Sequence, residues 1–489
     1  MSDEPEPSNS VSGFEEKFPT KQTIYFGLSK FGWVMAAGVG GFKVYFYQIK
    51  LGLGWEYISL AFMIFAIWNA INDPLFGIMS DRTQHKLGRR IPYMRYGAPF
   101  LAISFIMLYA SFIPGTNQIG LFLYLLLTLF LYDTFFTLVV IVNISLLGEL
   151  ALTAKNRTKI SFISGVISGI GSAIAAIVPP MLLYNDQPLQ RPIDPFQIFV
   201  IITGIICFLT LFIMSYYLKE KLMFSRDEPL GFFDSIKYTL KSRAFIILEV
   251  IIFIGVFLST FVGTGVAYYI DYVLDLKGFN ASIPIIIYML GNLLGSFVFA
   301  VLAGKYGMRK SLMFSIPLLS GGLLLAFFPT NLWEVILPIL LIGFAISAFL
   351  IYLDPFIVDI ADQDELRTGT RREASFFGVN ALITKPAESV AVWALTGMLV
   401  AVFAFVEPVI VDGSAIPQPQ PANALFGIRF LMSVVPALVL VLLLIAVYFY
   451  PLDGPKYREM KLKVRKLHKE KEKRFLEGVA EGEVLDQET

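Results

Sequence analysis

The sequence predicts an all-α integral membrane protein, with twelve transmembrane helices arranged as two six-helix bundles. Three observations predict it. Of the 489 residues, 56% are hydrophobic and 16% charged, with 45 Phe among them; a soluble domain runs roughly 45–50% apolar and about 25% charged. Apolar runs of about 20 residues, the length that crosses a bilayer, recur twelve times. Lys and Arg are sorted between the connecting loops, nineteen after the even-numbered runs and three after the odd-numbered ones. The runs are continuous and lack the roughly ten-residue alternation of outer-membrane strands, so they are read as helices.

In order along the chain, residues 1–23 form a polar, acidic tail. It has no basic stretch leading into an apolar core, so no cleavable signal is expected and the first span acts as the insertion signal. The first bundle, 24–218, holds spans at about 24–49, 55–80, 92–113, 119–145, 160–184 and 196–218. A linker, 219–243, follows; Pro229-Leu230-Gly231 breaks it, and 232–243 reads as a short amphipathic helix on the membrane surface. The second bundle, 244–450, holds spans at about 244–273, 281–303, 311–329, 332–357, 375–405 and 424–450. The tail 451–489 carries ten Lys and Arg between Lys456 and Arg474 and is expected to be a solvated helix near anionic lipid. Positive charge concentrated after even spans places both termini in the cytoplasm. Two six-span halves are the plan of the major facilitator fold, with the substrate site between the halves near the midplane.

Composition also excludes chemistries. One cysteine, Cys207, excludes an intrachain disulfide, and two histidines, His85 and His468, lie in polar segments. No metalloprotease, phosphate-loop or nucleophile-elbow pattern is present, so neither an enzyme nor an ATP-driven pump is expected. No cofactor and no nucleic-acid partner are expected. Transport would then be driven by an ion gradient.

Charges within spans are candidates for function. Lys30, Arg95, Glu249, Lys43, Asp271 and Arg429 lie near span ends, where snorkelling is the ordinary expectation. Asp73, Asp133 and Lys385 lie deeper. Asn69 and Asp73, four apart, share a face of span two, and Pro74 leaves the Ala70 carbonyl without its helical donor. An aspartate, an amide oxygen and a loose carbonyl suit a proton or small cation; a kinked helix with a satisfied Asp is the alternative. Lys385 lies roughly 16 Å into span eleven and needs an anion, Asp73 or Asp133 from other helices or Glu388 on its own. Asp133, with Thr137 further along, suits a polyol or a proton relay. The Gly165-x-x-x-Gly169 and Gly291-x-x-x-Gly295 spacings predict close helix packing.

Several motifs together resemble the glycoside–pentoside–hexuronide:cation symporter family of the major facilitator superfamily. They are Asn72-Asp73-Pro74-x-x-Gly77-x-x-Ser80-Asp81-Arg82-Thr83, then Gly88-Arg89-Arg90-x-Pro92-Tyr93, and Asp359-Ile360-Ala361-Asp362-Gln363-Asp364-Glu365-Leu366-Arg367-Thr368-Gly369 followed by Arg371-Arg372-Glu373. Tyr25-x-Gly27-x-x-x-Phe31-Gly32 and Tyr450-Pro451-Leu452 extend the resemblance over about 24–452. It implies a cation site at Asp73 and Asn69 and substrate contacts from Asp133 and Lys385; Thr137, on the same span as Asp133, is read as a further substrate contact, and Asp81, Arg82, Arg89, Arg90, Asp359, Asp364 and Arg367 as gates on the cytoplasmic side. For those loops, topology-setting charge is the plain alternative. Asn69 and Phe130 stand where the family has a second aspartate and a threonine oxygen, which points to H⁺ rather than Na⁺. Val34 and the region of Gly165 lack the family's sugar-binding charges, so melibiose itself is not the expected substrate. The resemblance implies a cation-coupled symporter of a sugar or glycoside; a monomer in the cell membrane is expected. A lysophospholipid or other amphipathic-solute carrier and a drug exporter are the alternatives.

Overall fold

The computed structural model describes residues 20–83, 85–88, 90–110, 113–150, 154–185, 187–189, 193–218, 242–368 and 373–454, with parts of 457–470. Among the described residues, twelve helices of 18 residues or more stand at the twelve expected places. They are α1 (Thr20–Gly40), α2 (Trp55–Arg82), α3 (Ile91–Tyr109), α4 (Gln118–Leu150), α5 (Ala154–Leu183), α6 (Pro195–Tyr217), α7 (Arg243–Tyr268), α8 (Ile283–Tyr306), α9 (Met308–Leu325), α10 (Leu332–Thr368), α11 (Glu373–Gly397) and α12 (Ala422–Phe449). Nine of them are long and apolar enough to cross a membrane by length and composition. The other three are α1, α2 and α9. α2 carries Glu56, Asn69, Asn72 and Asp73, while α9 opens on Arg309 and Lys310 and has only 18 residues.

The expected linker, 219–243, lies outside the described residues except for its last two. Ser242 caps α7 by accepting from the Phe245 amide at 3.4 Å. Within the first six helices α1 packs along α5 and α6, and α3 along α4 and α6; within the last six α8 packs along α10, and α7 along α11 and α12. The two sets meet where α2 lies along α11 and where α5 meets the turn Gly278–Ser282 that precedes α8. Side-chain amides lock the first set: Asn143 of α4 accepts from Trp33 Nε1 at 3.1 Å and donates to Ser29 Oγ at 2.8 Å, both on α1.

The two glycine pairs behave differently. A Cβ at Gly291 or Gly295 would collide with the carbonyl oxygens of Leu340 and Phe344, so α8 and α10 approach as closely as that spacing predicts. Gly165 and Gly169 face open space, with nothing within 4 Å of an added Cβ. That spacing on α5 therefore packs no neighbour, because α5 meets α1 through its other face, where Gly171 abuts Phe31.

Three helices end alike at the pole opposite the described termini. α1 runs through Lys43–Tyr45 into a π-turn at Phe46–Lys50, α7 into one at Tyr269–Val273, and α11 into one at Met398–Val402. Beyond α11 a hairpin unforeseen in the sequence pairs β1 (Val409–Val411) with β2 (Ser414–Ile416) antiparallel, Val411 opposite Ser414. Asp412 and Gly413 turn it with φ of 50° and 75°, as a tight two-residue hairpin requires. Its Ile410 seats against Gly52, whose φ of 70° and crowded Cβ position admit no side chain, and against Gly115, so the hairpin packs on the connections that follow α1 and α3.

Candidate functional site

Two helices of the first set and one of the second converge on Asp73. It lies eighteen residues beyond Trp55, about 27 Å along α2 at 1.5 Å per residue. Thr137 Oγ1 of α4 donates to Asp73 Oδ1 at 3.0 Å, and Lys385 Nζ of α11 lies 3.7 Å from Asp73 Oδ2. The adjacent residue engages the turn before: Asn72 Nδ2 donates to Asp133 Oδ2 at 2.6 Å and to the Asp133 carbonyl at 3.2 Å. Residues 133 and 137, four apart, share one face of α4, so consecutive positions on α2 meet consecutive turns of α4. Trp68 Nε1 donates to Thr134 Oγ1 at 3.2 Å, and its ring stacks on Phe130 with centroids 5.8 Å apart.

The structure thus brings Asp73, Thr137 and Lys385 into contact and holds Asp133 one turn away through Asn72. Lys385 pairs across the two sets of helices with Asp73, one of the two inter-helix partners the sequence left open. Thr137 is expected to touch substrate beside Asp133; here its hydroxyl is given to Asp73. Asn69 shares the face but makes no hydrogen bond through its side-chain oxygen among the described residues; the oxygen of Asn72 is likewise unpartnered, and both are buried. Asn72 stands in the motif that carries the resemblance, but nothing in its sequence position shows that it holds Asp133.

Several of the charges expected near span ends have partners inside the protein. Arg95 lays its guanidinium 3.7 Å from the Tyr216 ring centroid and donates to the Ser215 hydroxyl and carbonyl. Glu249 is 4% exposed and accepts from Asn380 Nδ2 at 3.3 Å. Asp271, 3% exposed, accepts from Tyr45 Oη at 2.5 Å and pairs with Lys277 at 2.7 Å. Each has a polar or aromatic partner inside the protein. Arg429 donates to the Phe327 and Phe328 carbonyls just past the end of α9, both at 3.3 Å. Lys30 and Lys43 stand over the Phe26 and Phe62 rings at 5.9 and 5.7 Å.

Of the expected gates, the side chains of Asp81 and Arg82, and all of Arg89, lie outside the described residues. Arg90 sits immediately before α3. Asp364 pairs with Arg367 one turn on, at 3.0 Å. Asp359 takes Lys461 as its partner, and Lys461 also reaches Asp362 at 2.7 Å. Lys461 belongs to the tail expected to be solvated, yet Met460 and Val464 beside it are buried. The face formed by 457, 460, 461 and 464 packs on the bundle because the two aspartates of α10 supply the charge Lys461 needs. Burial lowers the Lys461 ammonium's pKa, but Asp359 and Asp362 outweigh it and raise the group above its ordinary value.

Residues 26–454 match the family described as MFS/sugar transport protein. The chain belongs to that family. Its helices, its paired halves and its motifs place it among major facilitator transporters resembling glycoside–pentoside–hexuronide:cation symporters, multi-pass proteins of a membrane that act on small molecules. Over 435 residues it is 24% identical to the uncharacterized symporter YnaJ of Bacillus subtilis (strain 168), covering 87% of this chain and 90% of that one. It is 20% identical to sodium-dependent lysophosphatidylcholine symporter 1 of Xenopus tropicalis, covering 83% and 82%. Among solved structures, a bacterial homologue of the human lysosomal transporter Spinster, inward-facing and unoccupied, superposes with a TM-score of 0.62 at 16% identity over 89% of this chain and 96% of that one. At that identity the likeness concerns the fold.

Proposed function

We propose that this major facilitator transporter is a proton-coupled symporter of a sugar or glycoside, monomeric in the cell membrane, with twelve spans and both termini in the cytoplasm. The observation that supports it is an ion pair joining α2 to α11: Asp73, held by Thr137, faces Lys385 at 3.7 Å. Asp73 would then be both the coupling-ion site and a bridge between the halves. A proton on its carboxylate removes the charge that holds Lys385, so loading the ion and loosening the halves become one event. Asp133, kept in place by Asn72, and the released Lys385 supply the acceptor and donor that a polyol needs. Alternating access between the halves completes the cycle.

The test is uptake into proteoliposomes under imposed gradients. Accumulation should follow an inward proton gradient and ignore an equal Na⁺ gradient, and Asp73→Asn should abolish accumulation while leaving the protein folded. Accumulation driven by Na⁺ at fixed pH would overturn the proton assignment.

A second reading, a Na⁺-coupled carrier of a lysophospholipid, is favoured by a specific observation. The unpartnered oxygens of Asn69 and Asn72, with Asp73 and Thr137, offer the several oxygens a hard cation takes. A relative named a sodium-dependent lysophosphatidylcholine symporter aligns over 83% of the chain. A thermal-shift screen against glycosides and lysolipids, each with and without Na⁺, separates the two readings.

A further inference from the structure

The ends of α1 and α7 are built on one pattern. Tyr45-Phe46-Tyr47-Gln48 and Tyr268-Tyr269-Ile270-Asp271 each place a tyrosine three residues before a hydrogen-bonding side chain. Each segment enters a π-turn, closed by Leu51 N to Phe46 O at 3.0 Å in one and Leu274 N to Tyr269 O at 3.0 Å in the other. Each then turns through a residue of positive φ, Gly52 at 70° and Asp275 at 49°. In both, the next amide returns to the π-turn, Leu53 N to Tyr47 O at 2.9 Å and Leu276 N to Ile270 O at 3.1 Å.

The two segments face one another and exchange bonds reciprocally. Tyr45 Oη donates to Asp271 Oδ2 at 2.5 Å, and Tyr268 Oη donates to Gln48 Oε1. The rings of Tyr45 and Tyr268 meet edge to face between these bonds, with centroids 5.7 Å apart. All four residues are at least 97% buried. Residue i of one half binding residue j of the other, and the reverse, is the contact a two-fold axis generates. Here one chain reproduces it through its two halves. Gln48 Nε2 also donates to Glu407 at 3.2 Å, which ties the hairpin connection to the same point.

We propose that Tyr45, Gln48, Tyr268 and Asp271 form a pseudo-two-fold latch that holds the halves together at the pole opposite the termini and must part for that pole to open. The proposal rests on the alternating-access reading above. π-turns concentrate at functional sites, and this pair aims both tyrosines across the seam rather than back into their own halves. Lys277 remains beside Asp271 when the latch parts, so the carboxylate is never left alone.

The test uses Ser59→Cys as a reporter. Ser59 of α2 is 4% exposed and lies 3.1 Å from Thr396 of α11 on the same side of the molecule, while native Cys207, fully buried within α6, serves as an internal control. Alkylation by a small membrane-impermeant maleimide is followed at each thiol by peptide mass. Tyr45→Phe and Tyr268→Phe, which keep the rings, should each raise the rate at position 59 by about tenfold, the scale of a buried bond to a charged or amide acceptor. The double variant should exceed either, with Cys207 unchanged. Equal rates at position 59 in the parent and the double variant would overturn the latch, and so would an equal rise at Cys207, which marks general loosening. Labelling needs neither substrate nor coupling ion, so a failed uptake assay bears on the symporter reading and leaves this result standing.

Discussion

Replacing Asp73 and Lys385 singly and together measures the bridge directly. At 3.7 Å, two unit charges in surroundings of effective dielectric about 20 attract by about 4 kcal/mol. The side chains are 21% and 26% exposed, so water does not screen them fully. Asp133 and Glu388 also act on the Lys385 ammonium and remain to hold it when Asp73 is neutralised, and partial exposure screens the pair, so the measured coupling should fall below that figure. Asp73→Asn keeps the shape and an oxygen for Thr137, so it should lose the charge term and little else. A double-mutant cycle of Asp73→Asn with Lys385→Met should therefore return a coupling energy of about 2 kcal/mol. The assay is reversible unfolding of purified protein in mixed detergent, followed by circular dichroism, for parent, both single variants and the double. Each single variant should be less stable than the parent, and the double more stable than the two losses summed would leave it. A coupling below about 0.5 kcal/mol, the ordinary error of additivity, would refute the bridge and with it the idea that protonating Asp73 loosens the halves.

Gly295→Ala should destabilise the protein by about 1–3 kcal/mol, because the methyl collides with the Phe344 carbonyl; Gly165→Ala, facing open space, should be neutral or gain up to about 1 kcal/mol of helix propensity. Thermal unfolding compares the pair. Burial raises the Glu407 carboxyl above its ordinary 4.5, although Gln48 and the Trp55 amide bind its charged form. The closed seam should thus be strongest below about pH 4.5 and weaken as pH rises through the raised value; labelling at position 59, taken relative to a free thiol at each pH to remove the change in thiolate fraction, should slow on acidification, and Glu407→Gln should flatten that dependence. Lys461→Ala should leave Asp359 and Asp362 without their shared cation and free the tail, read as faster proteolysis after Tyr457 with the bundle intact.

How much could be read in advance varied with the range of the interaction. Nine of the long helices among the described residues follow from continuous apolar runs, because a chain in lipid must satisfy its backbone locally and each run carries its own answer. That Asp73 is a candidate for function was also legible, since a deep carboxylate in a membrane span is costly wherever its neighbours lie. Its partners were not. Lys385 had Glu388 three residues away and Asp73 more than 300 residues away, and only the packing of α2 along α11 chose the distant one. The same holds for Asp271, expected at the surface but buried under Tyr45, and for Lys461, expected in solvent but bound to α10. Gly165-x-x-x-Gly169 and Gly291-x-x-x-Gly295 are identical as spacings, and what separates them is whether another helix lies opposite. Sequence alone determines which segments enter the membrane and which charges are out of place there. Which charge meets which is decided by the tertiary structure, because a pairing energy depends on distance in space, and adjacency along the chain does not report it.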